Sequence, residues 1–366
     1  MRAIVCGDPH LSPGAWVDRP EIDGDAYRAF AQVVDIAIGM QLPLFLLGDV
    51  FEKRRPDPRS VECFCRQMDR MQEAGLPVLV IQGQHELDRV TPWLLVHGHP
   101  THMNRRSQQL GDSVVYGLDW LPRIELQQAL DEISPDTSVL LCHEVWSDVM
   151  GVGKTDGAFV DVPYAGWVLT GDYHDTYIKE AVGKTGQRMK VLSTGSTHMR
   201  NIAEPPQKCV FLLDTAMTDP TPIYLRTRPY FEFTISAAAE LDQLCTFMRS
   251  GLTISEHCDQ QLLPLVRIIF YEDVPDVYSR LTEAASGNCH LFWKRIPRQM
   301  EMEIAVRELP PSTTESLAAA VRVVSLNPRV QERCARLLAS PDPDAETKEQ
   351  YAQYERDTCQ TPQTTA

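Results

Sequence analysis

Five short apolar stretches in this chain each run directly into side chains that bind metals. Arg2–Cys6 leads to Gly7-Asp8-Pro9-His10, Pro43–Leu47 to Gly48-Asp49, and Val78–Ile81 to Gly83-Gln84-His85-Glu86. Val139–Cys142 leads to His143, and Trp167–Thr170 to Gly171-Asp172-Tyr173-His174. A short apolar run bounded by glycine reads as a buried strand, and open α/β sheets place their ligand sites at the carboxyl ends of strands. One such motif alone says little, because its histidine is more often a loop residue or a helix cap. Five in order, each after its own strand, call for a fold that gathers the strand ends on one rim. That rim offers Asp8, His10, Asp49, Gln84, His143, Asp172 and His174, enough oxygen and nitrogen donors for two metal ions sharing a carboxylate.

Helical patterns separate the strands. Asp25–Met40 carries Phe30, Val33, Val34, Ala37 and Ile38 at helical spacing. Val61–Ala74 reads as a second helix, stopped by Gly75-Leu76-Pro77. Further strands are predicted at Val114–Leu118, Val191–Ser193 and Cys209–Leu213, which makes the first two-thirds an α/β unit. After Pro229 the pattern changes. Strands at Phe231–Ile235, Leu263–Tyr271 and His290–Ile296 alternate with helices at Ala237–Met248 and Val274–Ala285, a smaller α+β unit. Pro310-Pro311-Ser312 reads as a linker, and Thr313–Leu326 and Arg329–Leu338 as two helices divided by Asn327-Pro328. From Pro341 onward, Pro, Asp, Thr and Gln dominate, the composition of a disordered tail.

The chain has 366 residues, 43% of them hydrophobic, so it can bury an ordinary core and is long enough for two domains. No apolar run reaches the roughly 18 residues needed to cross a bilayer, and the N-terminus enters a strand without a signal-peptide pattern. A soluble, intracellular (cytoplasmic) protein is expected. The ten cysteines are scattered, several within apolar runs, which suits free buried thiols in a reducing compartment. Cys63-Phe64-Cys65 lacks the second pair that a zinc site needs. A net charge of −15 argues against a protein that coats nucleic acid unaided, although a metal site itself requires carboxylates and a partner can supply basic surface.

The ordered motifs resemble those of the calcineurin-like metallophosphoesterases, whose pattern is Asp-x-His, Gly-Asp, Gly-Asn-His-Asp/Glu, His and Gly-His-x-His. The flanking segments are similar to the SbcD-type branch: Gly48-Asp49-Val50-Phe51-Glu52 before Lys53-Arg54-Arg55-Pro56, and Gly195-Ser196-Thr197-His198-Met199-Arg200. So is Cys209–Leu213 followed by Arg228-Pro229-Tyr230-Phe231. The resemblance covers residues 1–235 well and the rest in outline. It implies a metallophosphoesterase β-sandwich flanked by helices over residues 1–231 and a DNA-capping α+β domain over 232–305. A linker and helical pair over 306–340 would dock an SbcC-like coiled-coil ATPase, with a disordered tail at 341–366. It implies a homodimeric, Mn²⁺-dependent nuclease, acting as an exonuclease on duplex DNA ends and as an endonuclease on single strands or hairpins.

Carried over residue by residue, the resemblance gives Asp8, His10 and His174 to one ion, Asp49 as the bridge, and Gln84, His143 and Asp172 to the second. His85 becomes the proton donor or charge stabiliser for the leaving 3′ oxygen, with Glu86 orienting its imidazole. Two departures bear on the second ion. Gln84 stands where the family has Asn, with an amide oxygen one methylene further out. Asp172 stands where the family has His, and its harder carboxylate favours Mn²⁺, with Mg²⁺ as the alternative. The rival reading is a site reduced to one ion.

Other features carry less. Lys53, Arg54, Arg55 and Arg89 are candidates for DNA phosphate, or simply solvated loop residues. His97, His99 and His102 match no tetrahedral zinc spacing, and His198 is placed to approach substrate without needing a ligand role. Gly153-Lys154-Thr155 and Gly183-Lys184-Thr185 lack the upstream glycine of a phosphate loop, with Asp148 and Ile178 in its place, so the chain itself is not expected to bind ATP. Two rival functions stay open here. A phosphodiesterase or phosphatase acting on a small molecule would account for the acidity. A non-catalytic scaffold that recruits an ATPase partner would rest on Gln84 and Asp172.

Overall fold

Side chains along Arg2–Cys6 alternate between two apolar surroundings. Ala3 and Val5 belong to one buried cluster, Ile4 and Cys6 to another. This period of two is that of a strand covered on both faces, which explains why the sequence shows an unbroken apolar run there. The computed structural model describes residues 1–14, 16, 19–87, 93–150 and 157–297. Arg89, Gly153-Lys154-Thr155, the 306–340 linker and helical pair and the 341–366 tail lie outside the described residues.

In chain order the elements begin with β1 (Arg2–Cys6), α1 (Asp25–Met40), β2 (Leu44–Leu47), α2 (Pro58–Glu73) and β3 (Val78–Ile81). There follow β4 (Thr101–His102), β5 (Arg106–Leu110), β6 (Ser113–Gly117), α3 (Arg123–Asp131), β7 (Thr137–Cys142) and the one-turn α4 (Ser147–Met150). Next come β8 (Trp167–Thr170), β9 (Tyr177–Val182), β10 (Arg188–Ser193), β11 (Cys209–Asp214) and β12 (Thr221–Tyr224). The last are β13 (Tyr230–Ile235), α5 (Ala238–Ser250), β14 (Leu265–Tyr271), α6 (Val277–Ala285) and β15 (His290–Ile296).

Two six-stranded sheets, ordered β12-β11-β1-β2-β3-β4 and β5-β6-β7-β8-β10-β9, face each other across a cluster that includes Val5, Phe45, Leu79, Val139, Leu141 and Leu169. Behind the first sheet, Ile4, Leu44, Leu46 and Val80 pack on Phe30, Val33 and Val34 of α1 and Phe64 and Met68 of α2. Behind the second, Leu140, Cys142, Val168 and Val191 pack on Leu126 and Leu130 of α3. The result is a mixed α/β sandwich with helices on both outer faces. Each fully buried aliphatic or Phe side chain contributes roughly 1.5–3 kcal/mol. Asp57 caps α2, accepting from the backbone N–H groups of Arg59 and Ser60 at 3.0 and 3.1 Å, with Pro58 at the first helical position.

The strand directions matter most for function. β1, β2 and β3 are mutually parallel, with Val5 beside Phe45 and Leu46 beside Val80. β7, β8 and β10 are parallel in the other sheet, with Leu141 beside Leu169 and Leu169 beside Leu192. Each sheet therefore delivers its strand ends to one edge.

β13, β14 and β15 form a separate three-stranded parallel sheet, packed with α5 and α6 around Leu241, Val266, Ile268, Phe270 and Leu281. Arg228, just before β13, ties this unit to α1. Its guanidinium donates to Asp25 (Nε–Oδ1 2.8 Å, Nη2–Oδ2 2.9 Å), to Leu263 O and to Asp23 O. Both side chains are largely buried. Deleting one member of such a pair strands the other's charge, so Arg228→Ala is expected to cost about 3–5 kcal/mol. Urea unfolding of the variant against the parent chain measures this directly, and a loss below about 1 kcal/mol would mark the pair as a surface-type contact.

Candidate metal centre

The sandwich gathers the motif residues where the two sheets meet. Asp8 and His10 follow β1, Asp49 follows β2, Gln84, His85 and Glu86 follow β3, His143 follows β7, and Asp172 and His174 follow β8. The turns that carry them are strained. Asp8, His10, Asp49 and Asp172 have φ of 50, 44, 47 and 75°, half of the eight non-glycine residues with positive φ among those described. Left-handed backbone at such residues is uncommon and concentrates at functional sites. Glycine permits the close packing: a Cβ at Gly48 would lie 2.5 Å from His143 Nδ1, and one at Gly83 would collide with the Asp49 carboxylate.

Asp8, His10 and His174 form one group of potential ligands, Asp8, Asp49 and His143 a second, and His10, Glu52 and His85 a third. His10 Nε2 and His174 Nε2 lie 3.2 Å apart, close to the roughly 3 Å that separates two nitrogens holding one ion at about 2.1 Å and a right angle. The opposite ring nitrogens face backbone or carboxylate oxygens. His143 Nδ1 is 2.6 Å from Leu47 O, so it donates and leaves Nε2 as the free lone pair. Carboxylates lie against the other two rings, with Glu52 Oε2 3.0 Å from His10 Nδ1 and Glu204 Oε1 3.6 Å from His174 Nδ1. Carboxylates recur behind metal-binding histidines, although His10 Nδ1 makes no hydrogen bond here.

Whether these residues suit metal ions is decided by the atoms left over. Asp8 Oδ2, Asp49 Oδ2, Gln84 Oε1 and His143 Nε2 are all buried and without a hydrogen-bond partner. Asp49 Oδ2 sits 3.4 Å from His143 Nε2, 3.7 Å from His10 Nε2 and 3.9 Å from His85 Nε2. Leaving so many polar atoms unpaired in one buried place is costly. Divalent cations would satisfy them all, and hard oxygens mixed with imidazole suit Mn²⁺ or Mg²⁺. The residues fit the ions. Gln84 and Asp172 do come together: the Gln84 amide donates to Asp172 Oδ1 at 2.5 Å, and the Asp172 backbone N–H donates to Asp8 Oδ1 at 3.0 Å. Asp172 belongs to none of these three groups, so its contribution passes through Gln84 and Asp8 as well as any direct ligation.

Electrostatics reflect the crowding. Burial pushes the Asp8 carboxyl up to about 6, against the pull of His143 and His174. Burial also acts on Asp49, but His143, His10 and His85 outweigh it and hold that carboxylate well below its usual range. His10 is driven down by burial and by Arg200.

His85 is half-buried, with Nδ1 3.0 Å from Glu52 O and its backbone N–H donating to Asp49 Oδ1 at 3.0 Å. The expected orienting role of Glu86 needs correction. Its carboxylate is buried, pushed up to about 8 by burial, and taken by the backbone N–H groups of Phe51 (2.7 Å) and Gly83 (3.4 Å). Glu86 pins two ligand loops together, and Glu52 orients His85 through its carbonyl.

Lys53, Arg54 and Arg55 are exposed on the loop after Glu52. His198 does not reach a substrate surface. It is 3% exposed, its Nε2 is unpartnered, and burial lowers it to about 3. His97, His99 and His102 engage Asp69, Leu76 O and Asp119 separately. Sequence reasoning missed Glu52, Arg200 and Glu204 as site residues. Arg200 donates to both oxygens of Glu52 at 2.8 Å, a contact between residues far apart in the chain.

Residues 1–161 match the calcineurin-like phosphoesterase family, a span that holds the first four motifs and ends before Asp172. The chain is 31% identical over 153 residues to the DNA double-strand break repair protein Mre11 of Haloferax volcanii, covering 40% of this chain and 34% of that one. It is 26% identical over 251 residues to the protein of the same name from Methanosarcina mazei (64% and 40%) and 26% over 175 residues to that of Halobacterium salinarum (46% and 42%). The chain thus spans about a third to two-fifths of the length of the curated relatives it matches. Strand-end motifs, their convergence and the match over residues 1–161 agree on a calcineurin-like metallophosphoesterase domain, with the DNA double-strand break repair proteins Mre11 of several archaea among its relatives.

Proposed function

We propose that this chain is a Mn²⁺-dependent DNA nuclease of the SbcD type, an exonuclease on duplex ends and an endonuclease on single strands or hairpins. It would work inside the cell as a homodimer with an SbcC-like coiled-coil ATPase. The observation that carries the catalytic part is the convergence of unpaired buried donors from Asp8, Asp49, Gln84 and His143. The choice of DNA rests on the relatives, whose names are those of double-strand-break repair proteins. No helix among the described residues is long and apolar enough to cross a membrane.

In this reading Asp8, His10 and His174 hold one ion, Asp49 is shared, and Gln84, His143 and Asp172 hold the second. Two such ions supply an activated water for in-line attack and stabilise both the attacking and leaving oxygens. The chain does the rest. Leu47 O fixes the His143 imidazole, Glu52 and Glu204 lie against those of His10 and His174, and Glu86 locks the β2 and β3 loops together. His85, with Nδ1 on Glu52 O, presents Nε2 to the leaving 3′ oxygen and donates its proton there. Residues 232–305 would cap the DNA, and the 306–340 segment would bind the ATPase. Lys53, Arg54, Arg55 and Arg89 would contact phosphates.

The test is incubation of the purified chain with Mn²⁺ and linear duplex DNA, a DNA hairpin or a phenyl phosphodiester, with Asp49→Ala alongside. Metal-dependent cleavage of DNA is the expected result. Cleavage of the phenyl ester alone would reassign the substrate to a small molecule. Failure to cleave anything, with the ATPase partner added, would point to a scaffold.

A further inference from the structure

Arg200 lies where the first ion's ligands point. Its Nη1 is 3.1 Å from His10 Nε2 and 3.2 Å from His174 Nε2, the two nitrogens assigned above to that ion. Its Nη2 is held by both oxygens of Glu52, the carboxylate against the far side of the His10 ring. A histidine nitrogen has one lone pair. It can accept an N–H from a guanidinium or ligate a metal, but not both. A guanidinium can only donate, so both Nε2 atoms, 3.2 Å apart, present lone pairs to Nη1. Two such lone pairs repel unless a cation lies on them, and Arg200 supplies one without leaving its anchor on Glu52.

We propose that Arg200 is an internal competitor for the first ion: ion entry is an exchange in which Nη1 leaves the two histidine nitrogens while Nη2 stays on Glu52. This rests on the assignment of His10 and His174 to that ion. Arg200 is a positioning residue that keeps the ligand set assembled and weakens ion affinity in return. Hydrogen bonds to a charged donor are worth enough that their loss should tighten ion binding by about tenfold. After the exchange, the freed N–H is left beside the ion, where a phosphoryl oxygen of the substrate would meet it.

The experiment is Mn²⁺ titration calorimetry and thermal unfolding of the full-length chain, chelator-treated and Mn²⁺-saturated, for the parent, Arg200→Gln, Arg200→Lys and Asp8→Ala. Arg200→Gln is expected to bind Mn²⁺ about tenfold more tightly. It should also melt lower than the parent after chelation, and the difference should close on saturation. A variant that folds only with Mn²⁺ present would support the same exchange. Arg200→Lys, which keeps a cation but not the fork, should fall between. Unchanged or weaker Mn²⁺ affinity in Arg200→Gln would overturn the proposal, as would a melting deficit that Mn²⁺ leaves in place. Tighter binding without any deficit after chelation would reduce Arg200 to a bystander charge, and also sinks it. Asp8→Ala separates the two levels: if it binds Mn²⁺ like the parent, the ion-site assignment fails, whatever Arg200 does.

Discussion

Asp49→Ala is expected to abolish phosphodiester cleavage and to remove at least one of the two ions. Asp49 Oδ1 is occupied by the His85 backbone N–H, while Oδ2 faces His143, His10 and His85 within 3.4–3.9 Å and has no other partner. Asp8 is common to both of the groups assigned to the ions, and Asp49 joins the second of them while also facing His10 and His85. Its loss should exceed the roughly 10²–10³-fold cost of deleting one transition-state donor, because it removes a shared ligand rather than one stabilising contact. Mn²⁺ titration calorimetry and a DNA cleavage assay on the same preparation measure the two effects. A variant that retains even a tenth of the parent rate would show that the bridge lies elsewhere.

His85→Ala should separate chemistry from ion binding. The backbone N–H that holds Asp49 survives the substitution, and the side chain, although it lies with His10 and Glu52 in a third group of potential ligands, is outside the two groups assigned to the ions. Mn²⁺ affinity should therefore hold, while kcat falls by about 10²–10⁴-fold, the range for a lost general acid. A substrate whose leaving group needs no proton, such as a nitrophenyl phosphodiester or a 3′-bridging phosphorothiolate, should be much less impaired. Equal losses on good and poor leaving groups would assign His85 to ion positioning instead.

Much of this site was legible because its ligands are local to strand ends. Four of the five apolar runs ended in glycine or in the ligand itself and the fifth one residue short of Gly83, and parallel pairing of β1, β2 and β3, and of β7 and β8, did the gathering. The edge strands were not legible. β4 has only two residues, and β9 alternates half-buried and exposed side chains with Lys179 and Glu180 among them, so neither shows an apolar run. Adjacency in sequence misled at Glu86, where the turn aims the carboxylate back at Phe51 and Gly83 rather than at the neighbouring His85. Glu52, Arg200 and Glu204 matter only through contacts with rings contributed by other strand ends. Such contacts leave no periodicity or spacing to read.

The central claim is that the five strand ends hold two ions within reach of one carboxylate. Electron paramagnetic resonance of the Mn²⁺-saturated chain tests this most directly, since ions about 3.5–4 Å apart are magnetically coupled. The account predicts a coupled dinuclear signal at two Mn²⁺ per chain, lost in Asp49→Ala. An uncoupled signal at saturation, with one ion per chain, would contradict it.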